Sequence, residues 1–446
     1  MAVPLFVRYI GAVVGLLMVV TSGRSVIGTL IVPRAVASWL TRRIDQLVNL
    51  TFLMATARVA DYRRRDRLLS GQAAALLICQ IIVWLGMFFV GFSLILWPLI
   101  HDGITTAFTT AGSALWEFGS SSERGAAERA VLDIAALTGL ITVTLQIAYL
   151  PTLYSEFNRR ETEVALLNAR AGVPSWGPEL LARTYYALGS GVSSINTLPQ
   201  IYADWERLAA DMTESHTTYL PLVRFRSPRP LSSWVTALLA VLDSAALFLV
   251  LAPKGAPVVP ARLCLRSGFL CFREIARAMG FEVPDEPDPG DGISVTYEEF
   301  LDAVQRMRKV DFPIERDPAD AWPDFVGWRV NYEQAAYAIA EAVDAVPALW
   351  SGPRRIPGES IPPFRPGLGR PSKNGTDNSA AAAAKGGQAS TDRTGADAAG
   401  SDHPGTESTG TESTGTESPG TDSTGTGGAG TGGAGMGGAG TDRPGS

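Results

Sequence analysis

The sequence predicts an all-α membrane protein: three transmembrane helices with a re-entrant pore-type loop, then a soluble helical domain and a disordered tail. Three observations predict this. Two apolar runs, Leu68–Ile100 and Arg129–Tyr154, are each long enough for a bilayer core, which takes about 20 residues of helix. Between them, Gly103–Gly125 is too polar to span and too apolar for an ordinary loop. Beyond them, no stretch alternates apolar and polar residues as a half-buried strand does. The predicted divisions are 1–67 (first span and amphipathic linker helix), 68–154 (helix, re-entrant loop, helix), 155–350 (cytoplasmic helical domain) and 351–446 (tail).

Composition narrows the class. A chain of 446 residues with a net charge of −6 is no general nucleic-acid binder. Its mean hydropathy of +0.12 averages a membrane-like first third with a polar tail. The three cysteines, Cys79, Cys264 and Cys271, form no disulfide framework, and free thiols fit a reducing cytosol. Cys264 and Cys271, seven apart, share a helix face, the spacing of packing rather than redox chemistry.

Leu5–Gly23 is the first expected span. A secretory signal with Arg8 in its charged region is the rival reading, but apolar character resumes at Val26–Val32 with no small-residue cleavage site. A retained helix is therefore expected, with Arg24 at its end or snorkelling to the interface. Gly11 and Gly15 form a GxxxG pair, which lets helices approach closely. In Pro33–Arg67, residues Val36, Leu40, Ile44, Leu47 and Met54 recur at helical spacing. This amphipathic helix either packs on the body of the protein or lies in the membrane interface. The same segment carries Arg34, Arg42, Arg43, Arg58, Arg63, Arg64, Arg65 and Arg67, whereas the loop region carries Asp102, Glu117, Glu123 and Glu128. Arginine excess marks the cytoplasmic side, so the loop is expected outside and everything after Tyr154 in the cytosol.

In the soluble part, the last span is expected to continue as helix to about Gly172. Further helices are expected at Pro178–Ala187, Leu198–Glu214, Ser232–Leu251, Ala261–Met279, Tyr297–Arg308 and Trp322–Val346. Ser232–Leu251 is apolar enough for a fourth span, but Asp243 stands at its centre and both flanks are basic. It is therefore expected to be a buried helix of the domain. Asp285–Phe300 resembles a calcium loop only superficially, because Ile293 takes the obligatory glycine's place. A capping box from Thr296 to Glu299 is the better reading. From Pro353 the Gly/Ser/Thr/Pro repeats offer nothing apolar to bury.

The re-entrant segment carries the functional expectation. Thr105–Leu115 reads as a short pore helix and Trp116-Glu117-Phe118-Gly119-Ser120 as the filter position. Only Gly119 matches a potassium-filter glycine; Glu117 stands where a threonine belongs and Ser121 where the second glycine belongs. A ring of carboxylates favours cations without strong potassium selectivity. On the inner span, Thr138, Thr142 and Gln146 form a polar stripe that either lines water or bonds neighbouring helices. Gly139 sits where a channel helix bends. The chain carries no nucleophile elbow, zinc-protease helix or phosphate loop. His101, His216 and His403 are too dispersed for a sequence-local metal site. Glu206, Glu214 and His216 lie close in sequence and read as a satisfied surface or core network rather than a catalytic cluster. No enzyme activity, catalytic residue, cofactor or metal is expected.

Ile147–Gly172 (IAYLPTLYSEFNRRETEVALLNARAG), Glu214–Leu247 and Asp324–Gln334 (DFVGWRVNYEQ) resemble blocks of a bacterial, largely actinobacterial, potassium-channel-like membrane family. The resemblance covers roughly residues 5–350 and implies a pore-type hairpin followed by a cytoplasmic helical domain. The chain departs from it at Trp116-Glu117, where relatives resemble Ser-Leu-Phe-Thr-Leu-Gly-Phe. The resulting expectation is a multi-pass protein of the cell membrane. It would be a homo-oligomeric cation pore with a degenerate filter, partnered by the lipid bilayer and a monovalent cation. The alternative is a non-conducting anchor that presents the cytoplasmic domain for interaction or sensing.

Overall fold

Helix α1 (Leu5–Leu30) joins the expected first span and the apolar Val26–Val32 stretch into one element. Ser25, between them, finds a protein partner rather than breaking the helix: its Oγ accepts the indole N–H of Trp84 at 3.0 Å. The computed structural model describes residues 4–32, 39–100, 103–117, 125–187, 195–288, 290 and 292–352. The 351–446 tail lies outside this set except for Ser351 and Gly352. All regular elements among the described residues are helices.

Glycine sets the packing of α1 on the second span, α4 (Gln72–Leu96). A Cβ on Gly91 would meet Val19 Cγ2 at 2.8 Å and Gly15 O at 2.9 Å, and one on Gly11 would meet the Trp97 ring at 3.1 Å. Gly15 therefore sits where the two backbones touch, and Gly11 where the Trp97 ring packs on α1. Between α1 and α4 the single amphipathic helix expected over Pro33–Arg67 is instead two, α2 (Trp39–Thr56) and α3 (Tyr62–Leu69). Asp61 starts α3 by accepting the Arg63 backbone N–H at 3.0 Å, which stabilises a new helix start there. The Leu68–Ile100 run is correspondingly shortened to α4.

Helix α5 (Ile104–Glu117) and helix α6 (Ala126–Ala171) follow. At about 1.5 Å per residue, α6 is about 69 Å long. It carries Pro151 without ending and stops at Gly172, whose φ of 86° only glycine adopts without strain.

The domain comprises α7 (Gly177–Ala187), α8 (Leu198–Thr218), α9 (Pro221–Arg224), α10 (Trp234–Leu251), α11 (Val258–Met279), α12 (Tyr297–Arg308), α13 (Pro318–Arg329) and α14 (Glu333–Ala342). The expected Trp322–Val346 helix is two, because the chain turns at Val330–Tyr332. The capping box from Thr296 to Glu299 is present at the start of α12. Cys264 and Cys271 are both buried on α11, and burial pushes the Cys271 thiol up to about 12.

Among the described residues, four helical stretches are long and apolar enough to cross a membrane: Leu5–Leu30, Tyr62–Leu96, Ala126–Ala171 and Trp234–Leu251. The first three present large apolar side chains outward, among them Phe6, Ile78 and Ile147. Helix α10 presents none, since every residue but Leu249 is buried among α7, α11, α13 and α14. Its central Asp243 accepts from Arg329 and, at 2.9 Å, from the Tyr332 hydroxyl. Arg329 also donates to Glu333 at 2.5 Å, Tyr337 Oη at 2.9 Å and the Trp350 carbonyl at 2.6 Å.

Removing one member of a buried ion pair leaves an uncompensated charge, so Arg329→Met should lower unfolding stability by about 3–5 kcal/mol. Arg207→Met, at an exposed pair with Asp204, should cost under about 1 kcal/mol. Denaturant unfolding of the full chain in detergent measures both, and equal losses would remove the special role of Arg329.

Candidate functional site

Helix α5 begins beyond the end of α4 and runs back between α4 and α6. Its inner face is Ala107, Thr110, Ala111, Ala114 and Leu115, all buried. These small side chains let it nest against Trp84, Phe88, Phe92 and Leu96 of α4 and against Leu132 and Ala135 of α6. Phe108 meets Phe89 edge-on at 5.4 Å, and a Cβ on Gly112 would meet the same ring at 3.2 Å. At the far end of α5 the Leu115 carbonyl lies against Gly139, where a Cβ would meet it at 2.9 Å. Gly139 lies about 20 Å along α6 from its start, inside the uncharged stretch 134–155. A helix of 14 residues, about 21 Å long, thus ends within the length of the two apolar helices that flank it.

The candidate filter residues divide. Trp116 is exposed in the last turn of α5 and Glu117 is its final residue. Phe118, Gly119 and Ser120 lie outside the described residues, as does Ser121. On α6 the predicted stripe falls on the packed face. Leu132, Ala135, Gly139, Thr142, Gln146, Tyr149 and Leu153 are buried at alternating spacings of three and four, while Thr138 is half-buried beside them. The hydroxyls of Thr138 and Thr142 each donate to a carbonyl one turn back, at 2.7 Å. Gln146 Oε1 and, on α4, Gln80 Nε2 are buried without a hydrogen-bond partner among the described residues. The face of α6 turned outward is apolar, with Ile134, Leu137, Ile141 and Ile147. Gly139 itself is explained by contact with α5.

Two features escaped the sequence reading. One is a row of hydroxyls, Thr105, Thr109 and Ser113, on the side of α5 turned away from its neighbours; the i, i+4, i+8 spacing was the available signal. The other is a strap, Tyr219–Ser227, that joins the spans to the domain. Its core is Arg160, which is 1% exposed, at the point where α6 enters the domain. Arg160 donates to the carbonyls of Leu222 at 2.9 Å and Phe225 at 2.7 Å, and to Glu161 at 2.9 Å. The strap's side chains then reach in every direction. Leu222 packs with Leu77, Tyr149 and Leu153. Arg224 grips both carboxylate oxygens of Asp45 on α2 at 2.9 Å. Arg226 donates to Asp66 on α3 at 2.6 Å and to the carbonyls of Val343 and Asp344 at 2.7 and 2.8 Å. The sequence signal was the arginine-rich VRFRSPRP run.

His216 belongs to this junction rather than to Glu206 and Glu214. Its Nε2 stands 2.9 Å from Arg160 Nη1 and its Nδ1 stands 3.0 Å from Ser215 Oγ. A guanidinium only donates, so Nε2 accepts and the proton is on Nδ1. Burial and the adjacent Arg160 charge hold its pKa well below the usual histidine value. Among the described residues, no group of His, Cys, Asp and Glu side chains is arranged to hold a metal.

No protein-family model, curated protein or solved structure matches this chain.

Because the unfolded chain takes up a proton on His216 near pH 6.5 and the folded chain does not, this residue's contribution should be lost as pH falls through that value. The thermal midpoint of the wild type should therefore drop more than that of His216→Gln between about pH 7.5 and 5.5, since glutamine still accepts from Arg160 without titrating. Gly139→Val should cost about 1–3 kcal/mol by forcing α5 away, whereas Gly86→Ala, with nothing within 4 Å of its Cβ, should be near neutral in the same melts.

Proposed function

We propose that this chain is the subunit of an oligomeric, channel-like cation pore in the cell membrane, with α1, α4 and α6 spanning, α5 re-entrant and the domain in the cytosol. The observation that carries the reading is the end of α5 against Gly139. A helix C-terminus bears roughly half a negative elementary charge from its unsatisfied carbonyls. Ending it within apolar depth is costly unless that end lines a polar path or meets a cation. Trp116 and Glu117 at that end, with Phe118, Gly119 and Ser120 after them, are then the selectivity region, and the Thr105-Thr109-Ser113 row is the side of α5 that neighbouring subunits and the pore share. The burial of every residue of α10 except Leu249 supports three spans rather than four. The arginines of α2 and α3 support a cytoplasmic domain. One hairpin encloses no pore, which is why the reading requires an oligomer.

A second reading, the non-conducting anchor, is favoured by one observation. The polar stripe Thr142–Gln146 is spent inside the chain, and α6 turns an apolar face outward. On that reading the hairpin holds the domain to the membrane and conducts nothing.

Ion flux through purified protein in liposomes separates the two. The wild type should pass cations and lose flux as pH falls, because protons compete for the Glu117 carboxylates. Glu117→Gln should show weaker cation preference and a flatter pH response. Absence of flux in both proteins favours the anchor, and equal flux with equal pH response removes Glu117 from the pore.

A further inference from the structure

We propose that α2 and the outer side of α3 form a docking surface for the anionic headgroup layer of the bilayer. The inference rests on the chain's being a membrane protein and not on its conducting.

Helix α2 has two apolar sides with different fates. Ile44 and Val48 are buried against Leu76 in the first turns of α4. Asn49 accepts from Gln72 at 2.9 Å, and Asp45 is held by Arg224. Trp39, Leu47, Leu50 and Met54 point elsewhere and touch little, with Trp39 69% and Leu47 and Met54 66% exposed. A helix pinned beside the start of a span, with one apolar side on that span and another uncovered, lies where the interface would be.

Charge identifies what covers the open side. Arg42 and Arg43 are exposed, and neither makes an ion pair among the described residues; Arg43 lies over the Trp39 ring at 5.6 Å. Arg58, Arg63 and Arg67 are likewise exposed without an ion pair, and Arg64 has only a loose contact of 3.5 Å to Asp61. The other acids of this region, Asp45 and Asp66, are engaged by Arg224 and Arg226 of the strap. The surface is therefore strongly cationic. It is also continuous with the apolar exterior of the spans: Ile27 and Ile31 lie at the end of α1, Leu68 in the last turn of α3, and Ile78 and Ile82 on α4, all exposed. Arginines bordering an apolar helix face match a layer of phosphates above acyl chains. A soluble protein or a second copy of this acidic chain would have to cover a face that runs without a break into lipid.

The test uses the full chain, with Cys79 replaced by serine and single nitroxide-labelled cysteines at Val14, Leu50, Met54 or Arg207, in nanodiscs. Collision with oxygen reports lipid and collision with a nickel chelate reports water. Val14 should be oxygen-accessible and Arg207 nickel-accessible, and Leu50 and Met54 should behave like Val14. If Val14 proves nickel-accessible, the membrane reading fails. If Val14 is in lipid while Leu50 and Met54 face nickel, or are shielded from both probes by a protein partner or second copy, the docking surface is overturned. Native mass spectrometry then compares retention of phosphatidylglycerol and phosphatidylcholine. The wild type should prefer phosphatidylglycerol, and the fourfold Arg42→Gln, Arg43→Gln, Arg63→Gln, Arg67→Gln variant should lose that preference by about tenfold or more. An unchanged preference would overturn the anionic half of the proposal.

Discussion

A single guanidinium holds the two halves of this molecule together. Arg160 is buried at the point where α6 passes from the apolar bundle into the domain, and an unpaired charge there would cost several kcal/mol. The cost is met by two strap carbonyls, Glu161 and His216, so the strap can take only the path that presents those groups. That path in turn aims Arg224 at α2 and Arg226 at α3. The linker helices, the spans and the domain are therefore all placed with respect to one residue of one continuous helix.

The apolar bundle obeys a different constraint. On the membrane reading no water drives these helices together, and close backbone approach and good packing must hold them. Gly15, Gly91 and Gly139 occur where a Cβ would collide with a neighbouring backbone carbonyl. The alanines of α5 extend the same logic and let a short helix descend between two long ones. A pore and an anchor differ in what the remaining exposed surface does, which is why the outward hydroxyl row of α5 and the outward apolar face of α6 point to different readings.

The domain is organised around α10, an apolar helix with a carboxylate in its middle. In lipid Asp243 would be an expense; inside the domain it becomes the acceptor that locates Arg329, and through Arg329 the turn between α13 and α14 and the chain end at Trp350.

Much of the helical content was legible in the sequence because hydrophobic runs, capping residues and glycine stops are local signals. The range of α12, the capping box at Thr296, the end of α6 at Gly172 and the burial of α10 follow from residues within a few positions of each feature. Hydrophobic periodicity alone did not locate the break at Asp61, although its N-capping side chain is a local signal, nor the turn at Val330–Tyr332. Local signals could not say which way the Thr138-Thr142-Gln146 stripe faces, because a helix repeats its pattern whichever neighbour it meets. The sequence by itself determined which segments are helical, which are apolar and where positive charge concentrates. Only the tertiary structure decided which glycines are contacts, which polar residues are turned inward and which arginines stay exposed, because those depend on what another part of the chain brings within a few ångströms.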